Sequence, residues 1–504
     1  MIRSDLTETM ERLHPGLLGA MEPALSPPLY DRSGRSKVVH IGVGAFHRAH
    51  QAFYFDRLLR AGQRGWTIVG ASLRTPKSGN QLNPQSGLYT LKEIDGENTK
   101  HTVIGSVREV IDAFENADKL IEAIASPSTQ LVTLTITEKG YCLDPSKGEL
   151  NLDHPDVRRD LDNPKHPVSA PGFLVAGLAK RKASNGPGLT ILSCDNLPGN
   201  GELTERAILS FAEKLDSKLV DWIEANVSFP SSMVDRITPA TPPAALETLS
   251  SEFGILDEAL VETEPFHQWV IEDWFAGERP PLDQVGVQFT DNVAGWEKAK
   301  LRMLNGAHSA IAYLGGLSEL NFVHNVVNAP PFENYINHLW NELETTVPLI
   351  EGFEPANYRR DLLGRFSNRA LRHQIYQIAM DGSQKLPQRL IEPFVERLAN
   401  ARQSPAIALA IAAWMRWQFA QTLNGTAYEV QDPLASELSQ IVSYPETDAQ
   451  AIVSGFTKTA VFAGIGQAHV DTFVEHVTLA LKHIMGHPAI HTQADIAQLL
   501  QFRF

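Results

Sequence analysis

Up to about residue 230 the chain alternates short apolar runs with helical patterns, the rhythm of a doubly wound α/β domain. Runs at 37–41, 66–73, 130–136 and 189–193 have the length and composition of buried strands. The first leads through Gly42-Val43-Gly44 into a helical pattern over residues 51–59, and another strand with a polar end is expected at Met233-Val234-Asp235. Residues 1–36 are polar, carry Pro15, Pro23, Pro27 and Pro28, and are expected to wrap the first domain as a lead-in. From about residue 285 the strand signals fade, and helices are predicted over 297–315, 407–422 and 460–485, the last containing Gly464 and Gly466. The second half therefore reads as a mostly helical domain.

The predicted strands end in polar residues, and in open α/β sheets ligands collect at such carboxyl ends. Glu138 follows one strand, Asp195, Asn196 and Asn200 follow another, and Asp235 closes a third. Taken singly, each is also an ordinary turn former. The sequence of strand, Gly42-x-Gly44 turn and helix is the context in which glycines let a backbone approach a pyrophosphate, with free N–H groups at the helix start. His47 stands where a third glycine would complete the motif, so the match is partial. The second strand ends in Ser72-Leu73-Arg74 with Lys77 nearby, and carries no acid for the ribose hydroxyls of NAD. A basic residue there leaves NADP open.

The most concentrated chemistry lies at the first helix of the second half. At about 100° per residue, Lys300, Leu304, Ala307 and Ile311 share one narrow stripe, three of them apolar. Burial disfavours an ammonium, so a lysine there is a proton donor or acceptor near neutral pH. His308 and Asn305 flank the stripe at about 80° and 140° from Lys300. A lysine that snorkels to water beside a core-facing helix gives the same pattern. Further on, Lys385 and Arg389 are candidates to hold an anionic or hydroxyl-rich ligand, and Asp381-Gly382-Ser383 reads as a helix-ending turn.

Composition narrows the partners. A chain of 504 residues, 43% hydrophobic and 20% charged, exceeds one ordinary core. Its net charge of −15 excludes nucleic acid and anionic membrane surfaces as main partners but permits a small anion in a local basic pocket. Cys142 and Cys194 provide neither a disulfide framework nor a zinc site. No apolar run approaches about 18 residues, and the N-terminus lacks the apolar core of a secretory signal, so a cytoplasmic enzyme is expected.

Three motifs in order resemble the polyol-specific long-chain dehydrogenases, the family of mannitol 2-dehydrogenase and the hexuronate reductases. They are Gly42-Val43-Gly44-Ala45-Phe46-His47-Arg48-Ala49-His50-Gln51, Cys194-Asp195-Asn196 with Asn200-Gly201, and Lys-x4-Asn-x2-His at 300, 305 and 308. The resemblance runs from residue 37 onward. It implies a Rossmann-type domain over 37–288 and an α-helical substrate domain over 289–504, in the manner of 6-phosphogluconate dehydrogenase, with the active site in the cleft between them. It also implies NAD or NADP, a small-molecule sugar acid or polyol as substrate, no metal, and a monomer or weak homo-oligomer.

Residue by residue, the resemblance makes Lys300 the acid and base, and gives the developing oxyanion to Asn196 and Asn305. His308 would bond the reacting oxygen, Asp235, Lys385 and Gln377 would contact substrate, and Glu297 would connect Lys300 to solvent. Gly42, Gly44, Ala45, Phe46, His47, Arg74 and Glu138 would line the cofactor site. Residues 264–273 and 381–389 look similar to the fructuronate-reducing branch. That branch generally uses NAD, which favours NAD with NADP possible. Mannitol enzymes place an arginine where Gln377 stands here, and the family more often has proline at the position of Arg369. The expected reaction is reduction of D-fructuronate to D-mannonate. The alternatives are a mannitol or arabinitol dehydrogenase, and a catalytically silent nucleotide-binding protein.

Overall fold

The apolar runs of the first half assemble into one parallel sheet in a computed structural model that describes residues 11–144, 148–443 and 448–504. Its strands are β1 (Val38–Ile41), β2 (Ile68–Ser72), β3 (Val107–Asp112), β4 (Leu131–Leu134), β5 (Leu189–Ser193) and β6 (Val227–Ser228). Their order is β3-β2-β1-β4-β5-β6, every neighbouring pair parallel. This is the doubly wound order whose direction reverses between β1 and β4, the point where such sheets open a crevice for ligands. Every residue of β1, β4 and β5 is buried, as strands covered on both faces must be, which is why they read as unbroken apolar runs.

Two three-stranded sheets and one two-stranded sheet accompany the large one among the described residues. The hairpin of Tyr89–Asp95 and Asn98–Ile104 is inserted between β2 and β3 and pairs with Val261–Thr263. The strand expected at Met233 is observed as β7 (Ser232–Asp235), but it leaves the parallel sheet. It pairs antiparallel with Gln268–Glu272 in a separate three-stranded sheet. Of the lead-in, residues 1–10 lie outside the described residues. Glu11–Arg12 pairs with Ile255–Leu256, Leu13 and Leu25 are buried, and Arg32 donates to the carbonyls of Gly105, Ser86 and Val107. The chain divides into two compact units between Ala294 and Gly295.

Two apolar helices, Ala307–Leu317 and Pro405–Trp417, form the centre of the second unit. All eleven residues of the first are buried, the mark of a helix surrounded by others. The single helix expected over 460–485 is broken into a short turn at Ala460–Phe462 and a helix over Gln467–Met485, with Gly466 in extended conformation at its start. Glycine is a poor interior helix residue and takes the boundary.

The helix that carries Lys300 also departs from expectation. Val293–Ala299 is α-helical, Lys300–Gly306 is a π-helix, and α-geometry resumes at Ala307. A second π segment, Pro387–Ile391, interrupts the helices Gly382–Leu386 and Glu392–Ala399. Pro387 explains that one: it has no N–H to give, and its ring would strike the carbonyl four residues back in a regular α-turn. The two segments pack closely at Gly306, where a Cβ would lie 3.1 Å from the Arg389 carbonyl oxygen. Arg302 braces the first: its guanidinium is buried and donates to both carboxylate oxygens of Glu396, each at 2.6 Å, and to the Thr346 carbonyl. The Trp340 indole donates to the Met303 carbonyl at 2.9 Å.

Replacing Arg302 by Met removes charge-assisted bonds and is expected to destabilise the protein by about 2 kcal/mol. The Glu396 side chain is 41% exposed, so the carboxylate left behind stays hydrated and the loss falls below that of a fully buried pair. A lowered urea midpoint by tryptophan fluorescence, with faster hydrogen exchange over 300–306, is the expected outcome. If both are unchanged, the segment needs no such brace.

Candidate functional site

In the first unit the chemistry gathers at the carboxyl ends of β1, β4 and β5. Gly42 has φ of +101°, and a Cβ there would lie 2.1 Å from the Thr135 carbonyl oxygen. The turn is therefore pressed against the end of β4 in a conformation suited to glycine. Beneath it His40 donates from Nε2 to the Gly42 carbonyl at 3.1 Å, which leaves Nδ1 to accept from the Thr133 hydroxyl at 2.8 Å. Burial pushes the His40 pKa down to about 3, so the ring is neutral. His47 stacks on it at 3.5 Å, fully buried, with neither ring nitrogen hydrogen-bonded. Any contact of His47 with a ligand is therefore through its backbone.

Gly44 opens the helix Ala45–Ala49 with no side chain capping the turn, and a Cβ on it would meet nothing closer than 3.9 Å. Uncapped amides facing open space fit a phosphate group. Ala45 and Phe46 are half-buried, Phe46 stacking on His50 at 5.1 Å. At the end of β2, Arg74 donates to Asp156 at 2.6 Å. The arginine that left NADP open thus already has an anionic partner.

Bonds between strand ends connect the remaining groups of this unit. Glu138 is exposed in the short turn Thr137–Gly140 that follows β4, and Asn196 is exposed just after β5. Asn200 donates to the carbonyls of Asp195 and Ser232 and accepts from the Ser232 amide, which ties the end of β5 to β7. Asp235, at the end of β7, is buried and in register with Gln268. The Gln268 carbonyl accepts from His50 Nε2 at 2.8 Å, and Arg236 donates to Ala49, Glu264 and Glu93. His50, Asn200 and Arg236 were quoted or adjacent in the motifs. Their anchoring roles had no signal, because each depends on a partner distant in the chain.

In the second unit Lys300 is 9% exposed, and Glu297 lies half-buried three residues before it. In a π-turn the amide reaches back five residues, which brings Asn305 nearer to Lys300 around the axis than the roughly 140° of an α-helix. Asn305 is half-buried and makes no hydrogen bond to the described residues through its amide. His308 packs against Phe366 at 4.6 Å and edge-on to His373 at 5.4 Å, and its Nε2 is buried without a hydrogen bond. Burial first, then His373, Arg365 and Arg389, holds its pKa well below the usual value. It is neutral at pH 7 and able to bond an oxygen. His373 and Arg365 carried no sequence signal beyond being polar.

Lys385 donates to the Met380 carbonyl at 2.6 Å and feels Asp381 and Asp432. Arg389 donates to Ser309, the neighbour of His308, at 3.2 Å, and its Nε is buried without a partner. Burial lowers its pKa to about 10, and it has no carboxylate partner among the described residues. Gln377 lies apart from these bonds. It is exposed and lines a cavity of about 320 Å³ with Gln374, Gln431, Tyr376, Trp417 and Glu429. Asp381 has φ of +57° and stands between the helices Ile375–Ala379 and Gly382–Leu386, so the turn expected to end a helix does so and also starts the next. Among the described residues no cluster of His, Cys, Asp or Glu could hold a metal ion, and no helix is long and apolar enough to cross a membrane.

Comparison with known proteins matches this arrangement over most of the chain. Residues 36–284 match the mannitol dehydrogenase Rossmann domain and residues 292–485 the mannitol dehydrogenase C-terminal domain. D-mannonate oxidoreductase of Escherichia coli is 39% identical over 464 residues, 91% of this chain and 95% of that protein. Mannitol 2-dehydrogenase of Phaeosphaeria nodorum is 39% identical over 419 residues, 82% of this chain and 74% of that protein. Among solved structures, Pseudomonas fluorescens mannitol 2-dehydrogenase in ternary complex with NAD and D-mannitol is 37% identical with a TM-score of 0.77, covering 97% of this chain and 99% of that one.

Gly42→Ala would drive a methyl group into the Thr135 carbonyl and is expected to weaken NADH binding about tenfold or more. Titration of NADH against protein fluorescence measures it. An unchanged affinity would remove this turn from the nucleotide site.

Proposed function

The chain belongs to the mannitol dehydrogenase family, and we propose that within it this protein is an NAD-dependent reductase of a keto-sugar acid, converting D-fructuronate to D-mannonate reversibly. The observation that carries the choice of a sugar acid is Arg389. A half-buried guanidinium beside His308, its Nε buried without a partner and with no carboxylate among the described residues, is costly until an anion arrives, and a substrate carboxylate supplies one in the planar geometry that arginine binds best. Lys385, held by the Met380 carbonyl, adds positive charge beside it.

The Gly42–Phe46 turn would hold NAD, which when bound would supply the hydride in reduction and take it up in oxidation. Lys300 gives a proton to the carbonyl oxygen in reduction and removes it in oxidation. Asn305, brought nearer Lys300 by the π-turn, and Asn196 would donate amide N–H groups to the oxygen as its negative charge grows. His308, neutral and with Nε2 unpartnered, bonds the same oxygen and fixes its direction. Asp235 accepts from substrate hydroxyls, and Glu297 relays the Lys300 proton to solvent. The cavity at Gln377, lined by three glutamines and Glu429 and by no cation, favours a second reading, oxidation of an uncharged polyol such as mannitol, whose hydroxyls need no cation.

Oxidation of NADH and NADPH with D-fructuronate, D-tagaturonate and D-fructose side by side separates the two readings. NADH with a uronate is the expected preference. Arg389→Leu is expected to lower kcat/KM for the uronate about 100-fold, with fructose changed less than about threefold. Preference for fructose with an indifferent Arg389→Leu would return the protein to the polyol reading. Lys300→Ala should remove turnover by orders of magnitude with NADH affinity nearly kept; collapse of NADH binding alone would reassign the lysine.

The pH profile tests the protonation states. Oxidation should rise with pH through one ionisation, that of Lys300 losing its proton, while reduction falls through the same step. Because His308 is neutral well above its depressed pKa, no second limb is expected between about pH 6 and 7. A limb there that His308→Gln abolishes would show the imidazole titrating.

A further inference from the structure

Thr137 has φ of +62°. Among the described residues it is the one β-branched side chain in the left-handed region; the other non-glycine residues there are Ser, Cys, Asn, Asp, Glu, Arg or Ala. A β-branched residue is a genuine outlier in that conformation and holds it only where the surroundings over-determine it. Here they do. The Asp195 carboxylate accepts from the Thr137 amide at 2.9 Å, from the Ile136 amide at 3.0 Å and from the Tyr141 hydroxyl at 2.7 Å. Tyr141 is fully buried, with its hydroxyl also 2.5 Å from Ser193 Oγ. Burial and Asp195 both raise the Tyr141 pKa, so the phenol keeps its proton and remains a donor.

The carboxylate therefore joins the ends of two adjacent parallel strands. Thr137 follows β4 and immediately precedes Glu138; Asp195 follows β5 and immediately precedes Asn196. All three donors to Asp195 are neutral, and burial raises its pKa against their pull. A buried carboxylate satisfied only by neutral groups is a demanding way to hold a turn, and an ordinary strand end needs neither it nor the strained threonine. The second end is fixed as well, because Asn200 donates to the Asp195 carbonyl at 2.9 Å.

We propose that Asp195 is a positioning residue: by clamping the left-handed Thr137 backbone it sets Glu138 and Asn196 at the ends of β4 and β5 for the reaction. The proposal rests on the role given above to Asn196 as a donor to the developing oxyanion. Asp195 itself touches neither substrate nor cofactor in this assignment. The clamp acts on where Asn196 stands in the transition state, so its loss lowers kcat more than it raises KM for NADH.

Asp195→Asn keeps the shape, but one of its two acceptor oxygens becomes a donor facing backbone N–H groups. The expected result is a kcat for carbonyl reduction lowered about tenfold or more, with KM for NADH within about threefold and faster hydrogen exchange at Ile136 and Thr137. Thr137→Gly alone is expected to keep kcat within about twofold, because glycine takes the left-handed conformation without strain. Joined to Asp195→Asn, it should recover much of the lost kcat, a rescue that a merely structural aspartate would not give. A double variant no faster than Asp195→Asn, or an Asp195→Asn enzyme with undiminished kcat, overturns the proposal.

If Asp195→Asn does not fold, Tyr141→Phe removes one bond and leaves the two backbone bonds. It is expected to lower kcat about two- to fivefold and to speed exchange at Thr137; no change in either overturns the clamp. Absence of wild-type turnover on any carbonyl sinks the sugar-acid reading instead. Exchange at Ile136 and Thr137 then decides the clamp alone, and equal protection in wild type and variant overturns it.

Discussion

A hydrogen-bond ladder that slips from four residues to five at Lys300 is the constraint around which the second unit is built. In an α-turn Asn305 would stand well around the axis from Lys300; in the π-turn it comes closer. The slip occurs at the entrance to a helix with no exposed residue, so the irregular backbone has to be satisfied by protein groups. The surroundings do this piece by piece. Trp340 bonds the Met303 carbonyl, Arg302 fastens the segment to Glu396 and Thr346, and Gly306 lets the second π segment approach to near contact. That second segment carries Arg389, so the proline that makes it irregular also fixes where the unpaired cation stands.

The first unit solves a different problem by different means. Its site is built from backbone at the reversal of strand order, where Gly42 lies against the Thr135 carbonyl. The polar side chains below that turn are kept uncharged: His40 and His50 are both depressed to about 3 by burial, and His47 lies lower than its usual value for the same reason. Neutral imidazoles can brace a turn over the range in which an enzyme works without bringing charge beneath a phosphate site. The carboxyl groups stand at the strand ends, Glu138 exposed after β4 and Asp235 buried at the end of β7.

The alternation of runs and helical patterns made the layered fold legible, because buried parallel strands and buried helices leave continuous apolar signatures. The three motifs made most of the candidate residues legible too. What stayed hidden depended on contacts between distant segments. Nothing local in Lys300–Gly306 announces a π-turn, since leucine, methionine and lysine all suit an α-helix. His47 looked like a ligand contact because it replaces a glycine in a phosphate motif, yet its ring lies inside, on His40. β7 read like the other strands and joined another sheet, since apolar alternation does not specify the partner. Gly464 and Gly466 were read inside one helix over 460–485, yet the helix begins only at Gln467, after Gly466.

Charge illustrates the same separation of scales. A net charge of −15 says that the surface repels anions at a distance, yet beside His308 the field comes from Arg365, Arg389 and His373. Screening confines the first effect to the outside, while low polarisability strengthens the second within. Arginines elsewhere in the fold are matched: Arg302 by Glu396, Arg236 by Glu93, Arg74 by Asp156. Arg181, buried without a carboxylate, gives its hydrogens to the carbonyls of Ile124, Ser126, Thr129, Pro187 and Gly188. Arg389 has one serine hydroxyl and a buried Nε with nothing to bond. Arg12 and Arg359 also keep a buried Nε without a partner, but each has a carboxylate, Glu258 and Glu344; Arg389 has none among the described residues, and that difference is the ground on which the sugar-acid proposal stands.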